Sequence, residues 1–263
     1  MANPIYPVGM TREQGETLSL STTLASLGIP PAYHQAIIYV PSTDFRLHVN
    51  PAIKSVKYYD ASNAAGARFE ATGTTTNGLT RDLVDRDTAT GTGTAMDAGA
   101  TGDRLYVCFA DIVGGMRATM GSNNSAASGT LTAEYWNGTT FSALTIGTDG
   151  TNDGTRTLSQ TGSISWTVPT DWKSASLRGD GAVTDVDGPP ESGFWARFIW
   201  STALSADVEI DELWSLNRDT TRGYYRLGQE YLFSFDRRIV GSVELVLAAS
   251  TDTAELTWVR SVY

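Results

Sequence analysis

Apolar and polar residues alternate along most of this chain with a period of two. The segments 104–111 (RLYVCFAD) and 194–200 (FWARFIW) show the alternation most clearly. This period is typical of β-strands, whose two faces meet different surroundings. Such segments follow one another along the chain, joined by turns rich in Gly, Asp and Thr. The pattern predicts an all-β protein with an antiparallel, jelly-roll-like β-sandwich architecture.

The chain divides into three regions by pattern. Residues 1–33 hold early prolines and few β-branched residues, which indicates an extended N-terminal arm. Within that arm, the apolar spacing over 18–27 predicts a short helix. Residues 51–218 are predicted to form the main β-sandwich. Within it, the polar stretch 72–103 is predicted to be a long surface excursion, anchored by Leu79, Leu83 and Val84. The segments 34–50 and 219–263, one from each end of the chain, are predicted to pair as a smaller β-sheet unit, which gives two sandwich units in all.

The most legible local feature is a hairpin, LTAEYWNGTTFSAL, at 131–144. Asn137-Gly138 suits a two-residue type I′ turn because both residues tolerate positive φ. This turn predicts that Trp136 lies opposite Thr139. Alternation then divides the apolar residues between two faces, one of which packs on a core while the other is partly covered. The first face carries Leu131, Ala133, Tyr135 and Leu144, and the second carries Trp136, Phe141 and Ala143 beside Glu134.

Charge and cysteine content narrow the function classes. The net charge is -10 and the sequence has no Lys/Arg cluster, so a nucleic-acid partner is not expected. No apolar run reaches membrane-spanning length, so no membrane partner is expected either. The single cysteine, Cys108, excludes an intramolecular disulfide and is predicted to be a small buried hydrophobe. The N-terminus lacks the features of a secretory signal, which predicts synthesis and folding in a cytoplasm.

Catalytic patterns are missing from the sequence. His34 and His48 are the two histidines, and neither lies in a carboxylate-rich motif. The sequence has no nucleophile elbow, no phosphate-binding loop and no dinucleotide fingerprint. The 29 acidic residues guarantee chance carboxylate pairs, so such pairs do not indicate glycoside hydrolysis by themselves. The chain is therefore predicted to be non-enzymatic and to need no cofactor.

Two acidic loops are candidates for calcium binding. One contains Asp149 and Asp153, and the other contains Asp185 and Asp187. The first loop departs from the EF-hand pattern, because Gln160 stands where a glutamate ligand is required. Asp, Asn and Gly are also the residues of tight turns, and turn formation is the favoured interpretation of both loops. No metal is therefore expected.

Four aromatic residues are candidates for stacking against glycans or for an interface: Tyr135, Trp136, Trp172 and Trp195. Aromatic side chains in strands usually belong to cores or interfaces. In the segment 194–200 the rings fall on both faces of one strand, and Trp195 and Arg197 are predicted to share a face. One of these faces must be buried against something other than the main core, such as a second sheet or a neighbouring subunit.

The order of four motifs resembles a β-sandwich module of tailed-bacteriophage virion proteins. The motifs are EYWNG, then SWTVPTDW, then GFWARFIW, then ADVEIDEL, and they span roughly residues 100–216. The resemblance implies a structural role in a phage particle, on the capsid or the tail, and it brings no catalytic residues. The chain departs from the pattern in the long loop at 178–193.

The expectation from these observations is a virion protein made in the host cytoplasm. A capsid-decorating or cementing role is favoured, with the arm and one sheet face contacting the major capsid protein or sister copies in a homo-oligomer. A tail or baseplate component is the close alternative. A carbohydrate-binding module for host-surface glycans is a third expectation of a different class.

Overall fold

A computed structural model of the chain describes residues 10–20, 25–28, 35–41, 43–62, 69–70, 83, 93–96, 99–126, 128–176, 192–216, 228–234, 240–247 and 252–261. The strands, in chain order, are β1 (Met10–Leu20), β2 (Ala25–Gly28), β3 (Gln35–Tyr39), β4 (Phe45–Pro51), β5 (Ile53–Tyr59), β6 (Phe69–Glu70), β7 (Thr94–Ala95), β8 (Arg104–Phe109), β9 (Gly115–Ser122), β10 (Leu131–Trp136), β11 (Phe141–Leu144), β12 (Ile146–Asp149), β13 (Gly162–Trp166), β14 (Ser174–Ser176), β15 (Ser192–Trp200), β16 (Glu209–Leu216), β17 (Glu230–Ser234), β18 (Val240–Leu247) and β19 (Asp252–Ser261). The all-β class predicted from the alternation is confirmed.

The chain forms two compact units. Residues Met1–Asn50 and Asp219–Tyr263 make the smaller unit, and Pro51–Arg218 make the main sandwich. In the smaller unit, one sheet has the order β1-β19-β3-β17 and the other the order β2-β18-β4. Strands from the two ends of the chain therefore pair with each other. Its buried apolar side chains include Ile38, Val40, Phe45, Leu47 and Leu256.

Part of the predicted N-terminal arm lies in these sheets. Strand β1 pairs antiparallel with β19 from Met10↔Ser261 to Leu20↔Asp252, and β2 pairs with β18. The helix predicted over 18–27 is wrong, because β1 includes residues 18–20 and β2 includes residues 25–27. A short isolated helix is marginal in water, so the long ladder with a distant strand overrides the local spacing.

The main sandwich has two antiparallel sheets. One is seven-stranded, with the order β11-β10-β15-β8-β5-β6 and β14 paired to β15. The other is five-stranded, with the order β12-β13-β9-β16-β7. The main hydrophobic core lies between them and combines Val107, Phe198 and Trp200 from the first sheet with Ile164 and Ile210 from the second. Alternation along each strand sends every second side chain into this core.

The polar region 72–103, predicted to be a surface excursion, also contributes to the core. Leu83 was expected to anchor this region, and its side chain is fully buried. Met96 is 1% exposed and packs in the same core, although its burial was not predicted. Between these two residues, β7 adds an edge strand to the five-stranded sheet.

The hairpin has the predicted faces but a different register. Trp136 pairs with Phe141 rather than with Thr139, so the loop contains four residues. The side chain of Asn137 decides this, because its Oδ1 accepts hydrogen bonds from the backbone N–H groups of Thr139 (2.9 Å) and Thr140 (3.0 Å). Gly138 takes the positive φ of +104°. The shift of two residues preserves the face of every side chain.

Candidate functional site

The outer face of the seven-stranded sheet carries a second, smaller aromatic cluster. This outer cluster consists of Tyr59, Tyr106, Cys108, Phe141 and Trp195, with Trp136 packed against it. The registers of β15 with β8 and β10 bring these residues onto one side, since directly opposed residues of antiparallel strands share a face. The cluster accounts for the rings predicted on both faces of β15.

A buried arginine is the centre of the outer cluster. Arg197 is 8% exposed, and its guanidinium carbon lies 4.2 Å from the centroid of the Phe141 ring. Its Nε donates to Glu134 Oε2, and its Nη1 donates to the hydroxyl of Tyr106 at 3.1 Å. The cation is thus paired with a carboxylate and stacked on an aromatic face. The alternation of residues 194–200 predicts Arg197 on this face, but it predicts neither the burial of Arg197 nor its partners.

Electrostatics around Arg197 keep it charged. Burial by itself would lower the pKa of Arg197, but Tyr106 and Glu134 outweigh burial and raise the pKa above its ordinary value. The Glu134 side chain is 28% exposed, so solvent screens the pair on one side. The guanidinium of Arg197 thus connects β15 with β10 through Glu134 and with β8 through Tyr106.

Two tyrosine hydroxyls are held in their protonated form. Burial raises the pKa of Tyr106 above 10.0, although Arg197 acts in the opposite direction. The hydroxyl of Tyr135 donates to Asp171 Oδ1 at 2.7 Å, and this hydrogen bond raises the pKa of Tyr135. Neither group titrates near pH 7.

We expect the stability of the main sandwich to fall above about pH 10 because of these tyrosines. The unfolded chain releases the phenolic protons at their ordinary pKa, while the folded chain retains them to higher pH. These tyrosines therefore leave the free energy of unfolding unchanged below their ordinary pKa and lower it above that pKa. Denaturant unfolding at a series of alkaline pH values measures this slope. Tyr106→Phe should make the slope shallower, by at most about 1.4 kcal/mol per pH unit. An unchanged slope in Tyr106→Phe would contradict the assignment.

The four candidate aromatic residues separate into two pairs. Tyr135 and Trp172 lie in the core between the sheets, whereas Trp136 and Trp195 belong to the outer cluster. Trp172 is 3% exposed and Trp195 is 1% exposed. Their indole N–H groups donate to backbone carbonyls within the chain. Neither ring offers a face on which a sugar can stack, and Trp136 is the one member of the four that is partly exposed.

The carboxylate of Asp149 organises a turn. Its Oδ1 accepts hydrogen bonds from the backbone N–H of Thr151 at 3.0 Å and from the Thr151 hydroxyl at 2.6 Å. Its Oδ2 accepts the hydroxyl of Thr157 at 2.8 Å. Both carboxylate oxygens therefore accept hydrogen bonds from the turn, as expected of an aspartate in this position.

Asp153 has the same role in the next turn. Its Oδ1 accepts from the Thr155 hydroxyl and from the N–H groups of Thr155 and Arg156, while its Oδ2 is paired with the Arg156 guanidinium at 2.9 Å. The hydrogen bonds from Thr155, followed by those from Arg156, lower the pKa of Asp153 below its ordinary value. Both aspartates of the first candidate calcium loop thus act in turn formation.

The remaining candidates for chemistry lie in part outside the described residues. Asp185 and Asp187 lie outside the described residues, as does His34, and His48 lies on β4. Among the residues that the structure describes, no three His, Cys, Asp or Glu side chains are grouped as a metal site. The Cys108 side chain forms no disulfide and is fully buried, as predicted.

The core between the sheets contains an apolar cavity of about 10 Å³. Leu105, Leu131, Phe198, Trp200 and Leu213 are among its lining residues, and all of the lining side chains are apolar. This volume is about that of one water molecule, and a water needs polar partners. The cavity is therefore a packing gap rather than a ligand site.

The fold defines a β-sandwich protein. Its buried aromatic side chains form one cluster between the two sheets and a second cluster on the outer face of the seven-stranded sheet. Within the described part of the chain, no helix is long and apolar enough to cross a membrane. Comparison of the chain with models of protein families, with curated proteins and with solved structures finds no match.

Proposed function

We propose that this chain is a non-enzymatic structural protein of a bacteriophage particle, present in many copies and serving to decorate or cement the capsid. One observation carries the proposal: aromatic residues from three of the motifs that resemble virion proteins pack against each other in the main core. A module shared for its packing rather than for a reactive group is what a structural role requires.

The contacts in that core join three of the four motifs. Trp172 lies at ring-centroid distances of 5.8 Å from Tyr135, 6.5 Å from Trp166 and 6.5 Å from Phe194. Trp166 is in turn 5.8 Å from Phe198. These residues come from EYWNG, SWTVPTDW and GFWARFIW. Glu134 of the first motif and Arg197 of the third are 63 positions apart in sequence. The order and spacing of the motifs therefore follow from the geometry of one sandwich.

The fourth motif enters the same core through the opposite sheet. In ADVEIDEL, Val208, Ile210 and Leu213 are buried in the main core. The aromatic rings and branched side chains of the module are thus used to hold two sheets together. This arrangement supports a role in assembly, and it gives no support to turnover of a substrate.

Detection of the chain in particles tests the proposal. Particles are purified on a density gradient from lysates of the cells that express the chain, and their proteins are identified and counted by mass spectrometry. We expect peptides of this chain in the particle band at a copy number comparable to that of a capsid component. Labelling with an antibody and electron microscopy then distinguishes the capsid from the tail.

A soluble host protein serves as the control for contamination of the particle band. If the chain is depleted from the band as strongly as this control, the proposed role in the particle is wrong. Deletion of residues 1–33 is a poor test, because it removes strands β1 and β2 from the smaller unit.

A carbohydrate-binding role is the weaker proposal. It needs exposed rings, and burial of Trp172 and Trp195 leaves Trp136 as the one partly exposed ring among the four candidates. A hit on a glycan array that disappears in Trp136→Ala would restore it.

A further inference from the structure

One side of the main sandwich presents two consecutive edge strands. Strand β11 ends the seven-stranded sheet, β12 ends the five-stranded sheet, and a single residue, Thr145, separates them. Among the described residues, no further strand pairs with either edge. At the other end of each sheet the edge strand, β6 or β7, is only two residues long. Very short edges resist pairing with another chain, whereas longer ones permit it.

The edge formed by β11 and β12 is accessible. Ala143, Thr145, Gly147 and Thr148 are all exposed. The strands nevertheless differ in regularity. The pairing of β12 with β13 shifts register between Ile146 and Thr148, whereas β11 pairs with β10 without interruption. A bulge disturbs the row of outward N–H and C=O groups, so β11 is the better template for a further strand.

Charge favours self-pairing at this edge. The chain carries a net charge of -10, which opposes association of two copies over most of their surface. Residues 141–148 (FSALTIGT) carry no charge. An antiparallel pair of these segments centred on Ala143 places no charged residue opposite another. A two-fold axis through such a pair uses the same strand in both copies, which is the commonest form of homo-oligomer.

We infer that β11 pairs antiparallel with β11 of a second copy of this chain and joins two main sandwiches through a continuous sheet. The inference rests on the proposed function, because it names the surface through which copies associate. Backbone hydrogen bonds between the two edges supply the attraction. The short strand makes the contact weak when it acts alone, and many such contacts in an assembly act together.

Sedimentation of the full chain across about a hundredfold range of concentration tests the inference. The wild type should change from monomer to dimer over this range. Ala143→Lys should raise the dissociation constant at least about tenfold, because an edge lysine opposes strand pairing. Ala203→Lys is the matched control: Ala203 is exposed and lies in the connection between β15 and β16. This variant should leave the dissociation constant within about twofold of wild type.

The results that overturn the inference are distinct. A wild type that stays monomeric, or equal effects of Ala143→Lys and Ala203→Lys, would exclude the β11 edge. If Ala143→Lys fails to fold by circular dichroism, Thr145→Lys takes its place, with hydrogen exchange of amides 141–145 at low and high concentration. If the chain is found in particles but is monomeric in solution, only this inference is contradicted. If the chain forms the dimer but is absent from particles, only the proposed function is contradicted.

Discussion

Replacing Trp172 with alanine should lower the free energy of unfolding of the main sandwich by about 3–5 kcal/mol. Trp172 lies after β13, outside any strand, yet it is 3% exposed. Its ring contacts Tyr135, Trp166 and Phe194, and it lies 6.3 Å from the Phe109 ring. Truncation removes these contacts and leaves a cavity between the sheets. It also leaves the backbone carbonyl of Trp195 without the indole N–H that donates to it at 3.2 Å.

Trp136→Ala is the matched control, because it removes the same side chain from a partly exposed position. Trp136 contacts Phe141 at 5.4 Å and makes no other ring contact in the described residues. Its truncation should cost about 1–2 kcal/mol. Unfolding in urea is followed by near-ultraviolet circular dichroism, with the transition of the main sandwich analysed separately from any transition of the smaller unit. Equal losses in the two variants would show that Trp172 does not hold the core.

Gly162→Ala should destabilise the main sandwich by about 2–3 kcal/mol. A Cβ at Gly162 would lie 2.0 Å from the carbonyl oxygen of Gly150 and 2.7 Å from the backbone nitrogen of Thr151. Both atoms belong to the backbone, so no side chain can rotate to make room. The neighbouring hydrogen bond from Gly150 N to Ser163 O, at 2.9 Å, draws the two segments together. The substitution must therefore separate β12 from β13.

Gly147→Ala makes the same chemical change in the same pair of strands without the clash. A Cβ there would meet the Ser165 oxygen at 3.7 Å, which is ordinary van der Waals contact. Its effect should stay within about 1 kcal/mol in either direction. Thermal unfolding compares the two variants, and hydrogen exchange at residues 149–160 reports on the turns next to Gly162. If Gly162→Ala and Gly147→Ala unfold at the same temperature, the close approach of the Gly150 backbone does not require glycine at position 162.

Alternation in the sequence predicted the strands well because side-chain burial in a sheet follows a period of two. The predicted strand at 104–111 includes β8, and the strand at 194–200 lies within β15. The two faces of the hairpin were also correct. The register of its turn was not, because hydrogen bonds donated to Asn137 Oδ1 by Thr139 and Thr140 stabilise a four-residue loop, which the dipeptide Asn-Gly does not predict.

The candidate site was predictable only in part. Trp195 and Arg197 were assigned to one face from their positions in the strand. The burial of Arg197 was not predicted, because it depends on Glu134 from β10 and Tyr106 from β8, which are 63 and 91 positions away in sequence. Charged residues are rarely buried without a partner, and a single sequence does not identify the partner.

By itself the sequence determined the fold class of this protein. A chain with alternating apolar residues, turns rich in Gly and Asp and little helical spacing can bury its apolar side chains only between packed sheets. Tertiary structure decided which strands are neighbours. It brought β1 beside β19, placed Trp172 in the core, paired Arg197 with Glu134 and left β11 at an edge. The physical reason is the sequence separation of the interactions. Alternation is a local property of each strand, whereas strand pairing depends on contacts between residues far apart along the chain.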